Sequence, residues 1–276
     1  MKTIVTIISI CILSNISFGQ KITLTSRKNT VKNIKASTFQ VLTGIDKEFD
    51  EAVKFAFDKY WTFSKIKYAE NTKNDIRPFD FRVGEFGSRN GGKYSYSTCN
   101  FFKEGFNYAL TFDDFKKGDL DEGLDKNYHM KSIKVIQFIM TYCAELKRLE
   151  ELGETNYAFD KGYIGKIKDY NVIIPKENIT SNRFTEAPFK SVLKKYSLAS
   201  SEEIYKKLKE QKDTDNTAVL NVSRDDYAIY LNITDIKTGD LLYTANEGLG
   251  TFSQGKGIND EVIEKLLKKL AKFQEK

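Results

Sequence analysis

The chain has 276 residues, 44 basic and 38 acidic side chains, a formal charge of +6, and 40% hydrophobic and 13% aromatic content. That apolar fraction is enough to build a core and excludes wholesale disorder. The charges are interleaved, as in Lys206-Lys207-Leu208-Lys209-Glu210, so no basic block of the nucleic-acid type stands out, and the single histidine, His129, excludes histidine-rich zinc sites.

The first residues read as an export signal. Lys2 supplies an early positive charge, an apolar run follows from Ile4 to Leu13, and Ser14 to Gly19 is polar and small. This order is that of a cleavable signal peptide over residues 1–20, and the apolar run falls short of the ~20 residues that span a bilayer. Cleavage near Gln20 is expected, with a soluble periplasmic or secreted product.

Phe39 to Ile45 is a strand candidate. Asp46 is placed to cap a helix through Tyr60, with Phe49, Val53, Ala56 and Tyr60 on one face. Lys65 to Ala69 and Phe79 to Val83 alternate. Asn90-Gly91-Gly92 is a hairpin turn signal, and Tyr94 to Phe101 and Phe106 to Phe112 read as further strands. A long helix is predicted from about His129 to Leu152, ended by Gly153. Beyond it, Val172 to Ile174 is a short buried strand, Phe189 to Tyr196 shows helical spacing, and Ser197–Ala199 is a brief strand. Ser200 with Glu203 is a capping box for a helix to about Gln211. Ala218–Val222, Tyr227–Ile236 and Leu241–Ala245 are strands, with Gly239 available for positive φ in the turn between the last two. Asn259 caps a closing helix whose Val262, Ile263, Leu266, Leu267, Leu270 and Phe273 form a stripe that faces a sheet.

Both halves thus read strand, helix, strand, an antiparallel three-strand run and a closing helix. The expectation is an α/β (α+β) protein of two similar modules, each a mixed sheet with a closing helix packed on one face. The boundaries are 21–153 for the first module, 154–168 for a linker and 169–276 for the second.

The stretch Tyr227-Ala-Ile-Tyr-Leu-Asn-Ile-Thr-Asp-Ile-Lys-Thr-Gly-Asp-Leu-Leu-Tyr-Thr-Ala resembles a hairpin in periplasmic α/β domains, those of the curli-secretion-channel lipoproteins and the N-terminal domain of the TolB translocation protein. These carry a strand, then Asp-x-x-Thr-Gly, then a strand with an aromatic at the Tyr243 position. The stretch is also similar to exported proteins with repeated modules of this kind. The resemblance implies an envelope protein that binds or assembles, and it carries over no catalytic residue.

Four constellations are candidates for chemistry. Gly250-Thr-Phe-Ser-Gln-Gly255-Lys256-Gly257 fits G-x-x-x-x-G-K before a helix, and Gly250, Gly255, Lys256 and Gly257 are anion-binding candidates, although Gly257 stands where Ser or Thr would hold magnesium. Asp119, Asp121 and Asp125 lie in an acidic segment that departs from the EF-hand spacing and are weak calcium candidates. Tyr94, Tyr96, Phe102 and Tyr108, within an aromatic-rich region, are ligand-binding candidates. Cys99 and Cys143 remain after processing and are a disulfide candidate, Cys143 sharing a helical stripe with Ile136 and Met140. His129 beside Met130 has no nucleophile elbow to serve. The sequence therefore points to an exported binding or assembly protein without catalysis or cofactor, its partner an envelope protein or a glycan. The alternatives are a secreted hydrolase using carboxylates and an anion-binding module at the Gly250–Gly257 loop.

Overall fold

The computed structural model describes residues 21–22, 30–43, 47–70, 79–86, 96–103, 106–112, 116–117, 120–121, 128–151, 167–180, 184–224, 228–248 and 258–274, the strands between 70 and 127 by their backbone. In the first half these form β1 (Lys21–Ile22), α1 (Thr30–Lys35), β2 (Thr38–Thr43), α2 (Lys47–Tyr60), β3 (Lys65–Glu70), β4 (Phe79–Phe86), β5 (Tyr96–Lys103), β6 (Phe106–Phe112), the short pair β7 (Lys116–Lys117) and β8 (Leu120–Asp121), and α3 (Tyr128–Glu151). The second half follows with β9 (Asn171–Pro175), α4 (Lys176–Thr180), α5 (Ala187–Val192), β10 (Tyr196–Ala199), α6 (Ser201–Glu210), β11 (Thr217–Arg224), β12 (Ala228–Asp235), β13 (Leu241–Gly248) and α7 (Asp260–Gln274). The signal-peptide residues and most of the expected 154–168 linker lie outside the described residues.

The strands form two mixed sheets. From one edge, the first runs β3-β2-β4-β5-β6 and adds β1 at the far side; the second runs β10-β9-β11-β12-β13. In each, the first three strands are mutually parallel and the last two antiparallel. The two sheets therefore share strand order and direction, with β2 in the place of β9, α2 in that of α4 and α5, and α3 in that of α7.

Local signals set the helix ends. Ser200 accepts the Glu203 N–H at 3.2 Å and Glu203 accepts the Ser200 N–H at 2.7 Å, so the capping box is complete. Those bonds hold the Glu203 carboxyl below the ordinary carboxylate range. Asn259 accepts the Val262 N–H at 3.1 Å and opens α7, and Ile263, Leu266, Leu267 and Leu270 of α7 are buried in the core of the second half. Tyr243 is buried, and its hydroxyl donates to the Leu266 carbonyl, tying β13 to α7.

The closing helices differ. The exposed side of α7 carries Glu261, Glu264, Lys265 and Lys268. By contrast, α3 is buried along most of its length on every side, which marks a helix enclosed by protein. It packs against both α2 and α6. It shares one core with Phe39 and Val41 of β2, Phe57 of α2, Ile204 and Leu208 of α6, and Ile173 and Val219 of the second sheet. The second sheet is laid over the side of α3 that faces away from the first half. The junction between the two halves is continuous core, whereas the outer side of α7 is charged.

Strand alternation in the second sheet shows why this works. Ala218, Leu220 and Val222 of β11 and Ile229, Leu231 and Ile233 of β12 join the cluster beneath α7. The intervening Asn221, Ser223, Tyr230, Asn232 and Thr234 are also buried and face the α3 side. There the buried Gln137 and Asn221 side chains are hydrogen-bonded, and the buried Lys134 ammonium donates to the Val222 carbonyl at 2.7 Å. Lys134, Gln137 and Thr141 recur at helical spacing, so one polar stripe of α3 lies along a polar sheet face, and Lys134 and Gln137 are hydrogen-bonded across it.

Candidate functional site

The turn after β12 bolts the two halves together. Asp235 Oδ1 accepts the Lys237 and Thr238 N–H groups at 2.7 and 3.0 Å, and the Asp235 carbonyl accepts the Gly239 N–H at 3.0 Å. Tyr170 donates to Asp235 Oδ2 at 2.8 Å. Gly239 adopts φ +80°, and a Cβ there would stand 2.8 Å from the Met140 backbone carbon and oxygen. The turn thus lies directly on the α3 backbone. Arg148 of α3 fixes it further, reaching Asp240 at 2.9 Å and Glu145 at 3.1 Å. The Asp-x-x-Thr-Gly turn in this chain is one of the contacts between the two halves.

A cleft of about 460 Å³ lies beside this bolt, within the usual size of small-ligand sites. Met140, Cys143 and Ala144 on α3 form its floor. The rim holds Tyr60 from the end of α2, Lys147, Arg148 and Glu151 from α3, and Lys237, Thr238 and Asp240 from the turn. Gln211 orders one wall. It ends α6 in the left-handed region at φ 54°, and its amide donates to the Tyr60 hydroxyl at 3.2 Å, the Ile236 carbonyl at 3.0 Å and the Leu208 carbonyl at 2.9 Å. Tyr60 accepts from Gln211, which leaves its own proton for a ligand.

The charges on the rim are unequally engaged. Arg148 is held between Glu145 and Asp240, and Lys237 pairs with Asp215 at 2.7 Å. Lys147 is exposed and makes no ion pair among the described residues. Burial pushes the Tyr60 phenol up to about 12, reinforced by Cys143. Burial also pushes the Cys143 thiol up to about 12, against the opposing pull of Lys147. At neutral pH the phenol is a donor and the thiol carries no nucleophilic charge. The largely polar lining thus includes an ammonium and a phenolic O–H, a pair suited to an anionic group.

Cys143 is a free, buried thiol. Its candidate partner Cys99 is carried by β5, opposite Val83 and Leu110 in the ladders, and the Cys99 side chain lies outside the described residues. In native protein, peptide mapping after iodoacetamide treatment should find Cys143 unmodified, with complete modification in urea. Rapid native labelling at Cys143 would contradict its burial.

Of the other candidates from sequence, Tyr96 and Phe102 are carried by β5 and Tyr108 by β6, where Tyr108 stands opposite Phe101. Their side chains, and Tyr94, lie outside the described residues. So do the Gly250–Gly257 loop, Asp119, Asp125 and the Asp121 side chain, although the Asp121 backbone pairs with Lys116. Among the described residues no group of three or more metal-ligand side chains is assembled. His129 stacks near Tyr128 and Tyr205 at 4.8 and 5.4 Å and adjoins no nucleophile. The cleft residues Tyr60, Lys147 and Thr238 were not candidates from sequence. The Asp-x-x-Thr-Gly turn and Cys143 were the signals from sequence that fall in the cleft. No protein-family model, no curated protein and no solved structure matches this chain.

Proposed function

We propose that this chain is an exported, non-catalytic binding protein made of two copies of one α/β module, which holds a small anionic ligand in the cleft where the copies join. The observation that carries this reading is that Lys147 and Tyr60 line one cleft together with Lys237, Thr238 and Asp240 of the turn after β12. The seat exists only because the second module lies on α3. Three further features support it: the shared strand order of the sheets, the signal-like order of residues 1–20, and the resemblance of the β12–β13 hairpin to envelope domains that bind or assemble. A protonated thiol, and carboxylates engaged by Arg148, favour holding a ligand over attacking one.

Thermal unfolding with a panel of small carboxylates and phosphates tests the cleft. At least one should raise the midpoint of the parent and have no effect on Lys147→Glu. Equal shifts in both proteins, or none in either, would reject the site. Mass spectrometry of the protein secreted by its native host tests export: an N-terminus at Gln20 or Lys21 is expected, and an intact Met1 rejects it.

A further inference from the structure

The cleft does not end at Tyr60. The Lys59 ammonium lies 5.6 Å from the Tyr60 ring centre and 5.1 Å from that of Phe55. Lys209, from α6, lies 5.7 Å from the same Phe55 ring and 5.3 Å from Tyr205. Tyr205 in turn shares a hydroxyl–hydroxyl bond of 2.9 Å with Tyr128. Half-buried aromatic rings and exposed lysines thus continue from the cleft across the ends of α2 and α6.

Two ammonium groups held over one ring repel each other, and each has displaced water to lie there. Burial lowers the Lys59 pKa, the direction expected of a cation short of compensation. The carboxylates on the two helices are turned elsewhere: Asp58 accepts the Tyr68 hydroxyl at 2.6 Å and Glu210 lies 3.9 Å from Lys206. Of its three donors, Lys59 spends one on the Lys209 carbonyl at 3.0 Å. Among the described residues neither lysine has an ion-pair partner, and Lys147, at the far end of the strip, has none either. An anion between Lys59 and Lys209 would relieve the repulsion and use the remaining donors. A second along the strip would meet Lys147.

We propose that this strip binds a linear acidic polysaccharide, a chain of uronic-acid units whose carboxylates meet Lys147, Lys59 and Lys209 in succession and whose sugar rings lie against Tyr60, Phe55 and Tyr205. This names the ligand class for the cleft and rests on the reading of the cleft as a binding site. A uronate chain offers one carboxylate per ring, the alternation that the lysines and aromatic rings present. Export places the protein among surface glycans, which argues for a sugar over the other common linear polyanion, nucleic acid.

Calorimetric titration of the full protein decides it, with four probes: an oligogalacturonate of about eight units, its full methyl ester, galacturonate monomer and oligothymidylate. The charged oligomer should bind, weakening as salt rises, and the uncharged ester should not. Lys59→Glu/Lys209→Glu should weaken the oligomer about tenfold or more and leave the monomer unchanged, while Lys147→Glu should weaken both. All three lysines are exposed, so the variants should keep the parental melting midpoint. Monomer binding lost in Lys147→Glu, with the oligomer indifferent to the double variant, rejects the strip and keeps the cleft. No binding of either uronate, in a protein whose cleft responds to another anion through Lys147, rejects the ligand class alone. Tighter binding of oligothymidylate than of the uronate oligomer also overturns the proposal.

Discussion

Gly239→Val is expected to lower stability by roughly 3–5 kcal/mol, the largest effect of any single substitution in the turn. Two independent terms act. At φ +80° any side chain strains the backbone, most of all a β-branched one. The new Cβ would also sit 2.8 Å from the carbon and oxygen of Met140, which are helix backbone and unable to rotate away. The turn must therefore lift from α3, loosening the Arg148–Asp240 pair and the roof of the cleft. For a chain of this length the melting midpoint should fall by about 10 °C. Any ligand bound in the cleft should also weaken. Gly239→Ala isolates the common part of both terms and should show most of the loss. A melting midpoint within a degree of the parent for either variant would mean that the turn does not rest on the helix.

Trp61→Ala should cost about 3–5 kcal/mol. Trp61 is buried among Phe39 at 4.2 Å, Phe57 at 5.7 Å and Phe63 at 5.4 Å, with Tyr142 of α3 stacked at 6.4 Å and 8°. Its indole N–H donates to the Ser64 carbonyl at 3.1 Å. Removing it opens a large cavity between β2, α2 and α3, in the core that also contains Val219 and Ile173 of the second sheet. Because that core is shared, the two halves should unfold together. Urea denaturation followed by far-ultraviolet circular dichroism should give one transition in parent and variant, displaced to lower urea in the variant. Trp61 is the only tryptophan in the chain. Its fluorescence in the parent reports on the first half alone and should trace the same curve as circular dichroism. Two separated transitions, with only one moved by the substitution, would show independent modules.

The chemistry proposed for the strip and the cleft depends on the same architecture. Lys59 and Tyr60 end α2, Lys147 lies near the end of α3, and Lys209 ends α6. These helices are drawn together because α3 packs against both α2 and α6. A basic side chain near a helix C-terminus is favoured by the dipole in any context. Three of them from three helices become a ligand surface only when the helix ends converge.

Features with local causes were legible from sequence. The capping box at Ser200 and Glu203, the Asn259 cap, the amphipathic stripe of α7 and the glycine of the 235–240 turn each follow from interactions within a few residues, and each stands in the structure where the sequence placed it. The order of the principal elements was legible for the same reason, since periodicity and turn residues are read within short windows. The short β1, β7 and β8 and the helices α1 and α4 were not: elements of two to six residues hold by their neighbours rather than by their own pattern. The enclosure of α3 was also hidden. Nothing within a few residues of Lys134, Gln137 and Thr141, or of Asn221 and Asn232, marks them as buried. Lys134 is held in the core by the Val222 carbonyl and Gln137 by the Asn221 side chain, and both pairings are non-local. Cys143 followed the same rule: its place on a buried face was visible, but which surface buried it depended on how the halves stack. Tyr60, Lys147 and Thr238 come from three segments far apart in the chain and meet only where the turn after β12 lands on α3. Short-range physics decided what each segment became, and the packing of one polar sheet face on one polar helix stripe decided where a site would form.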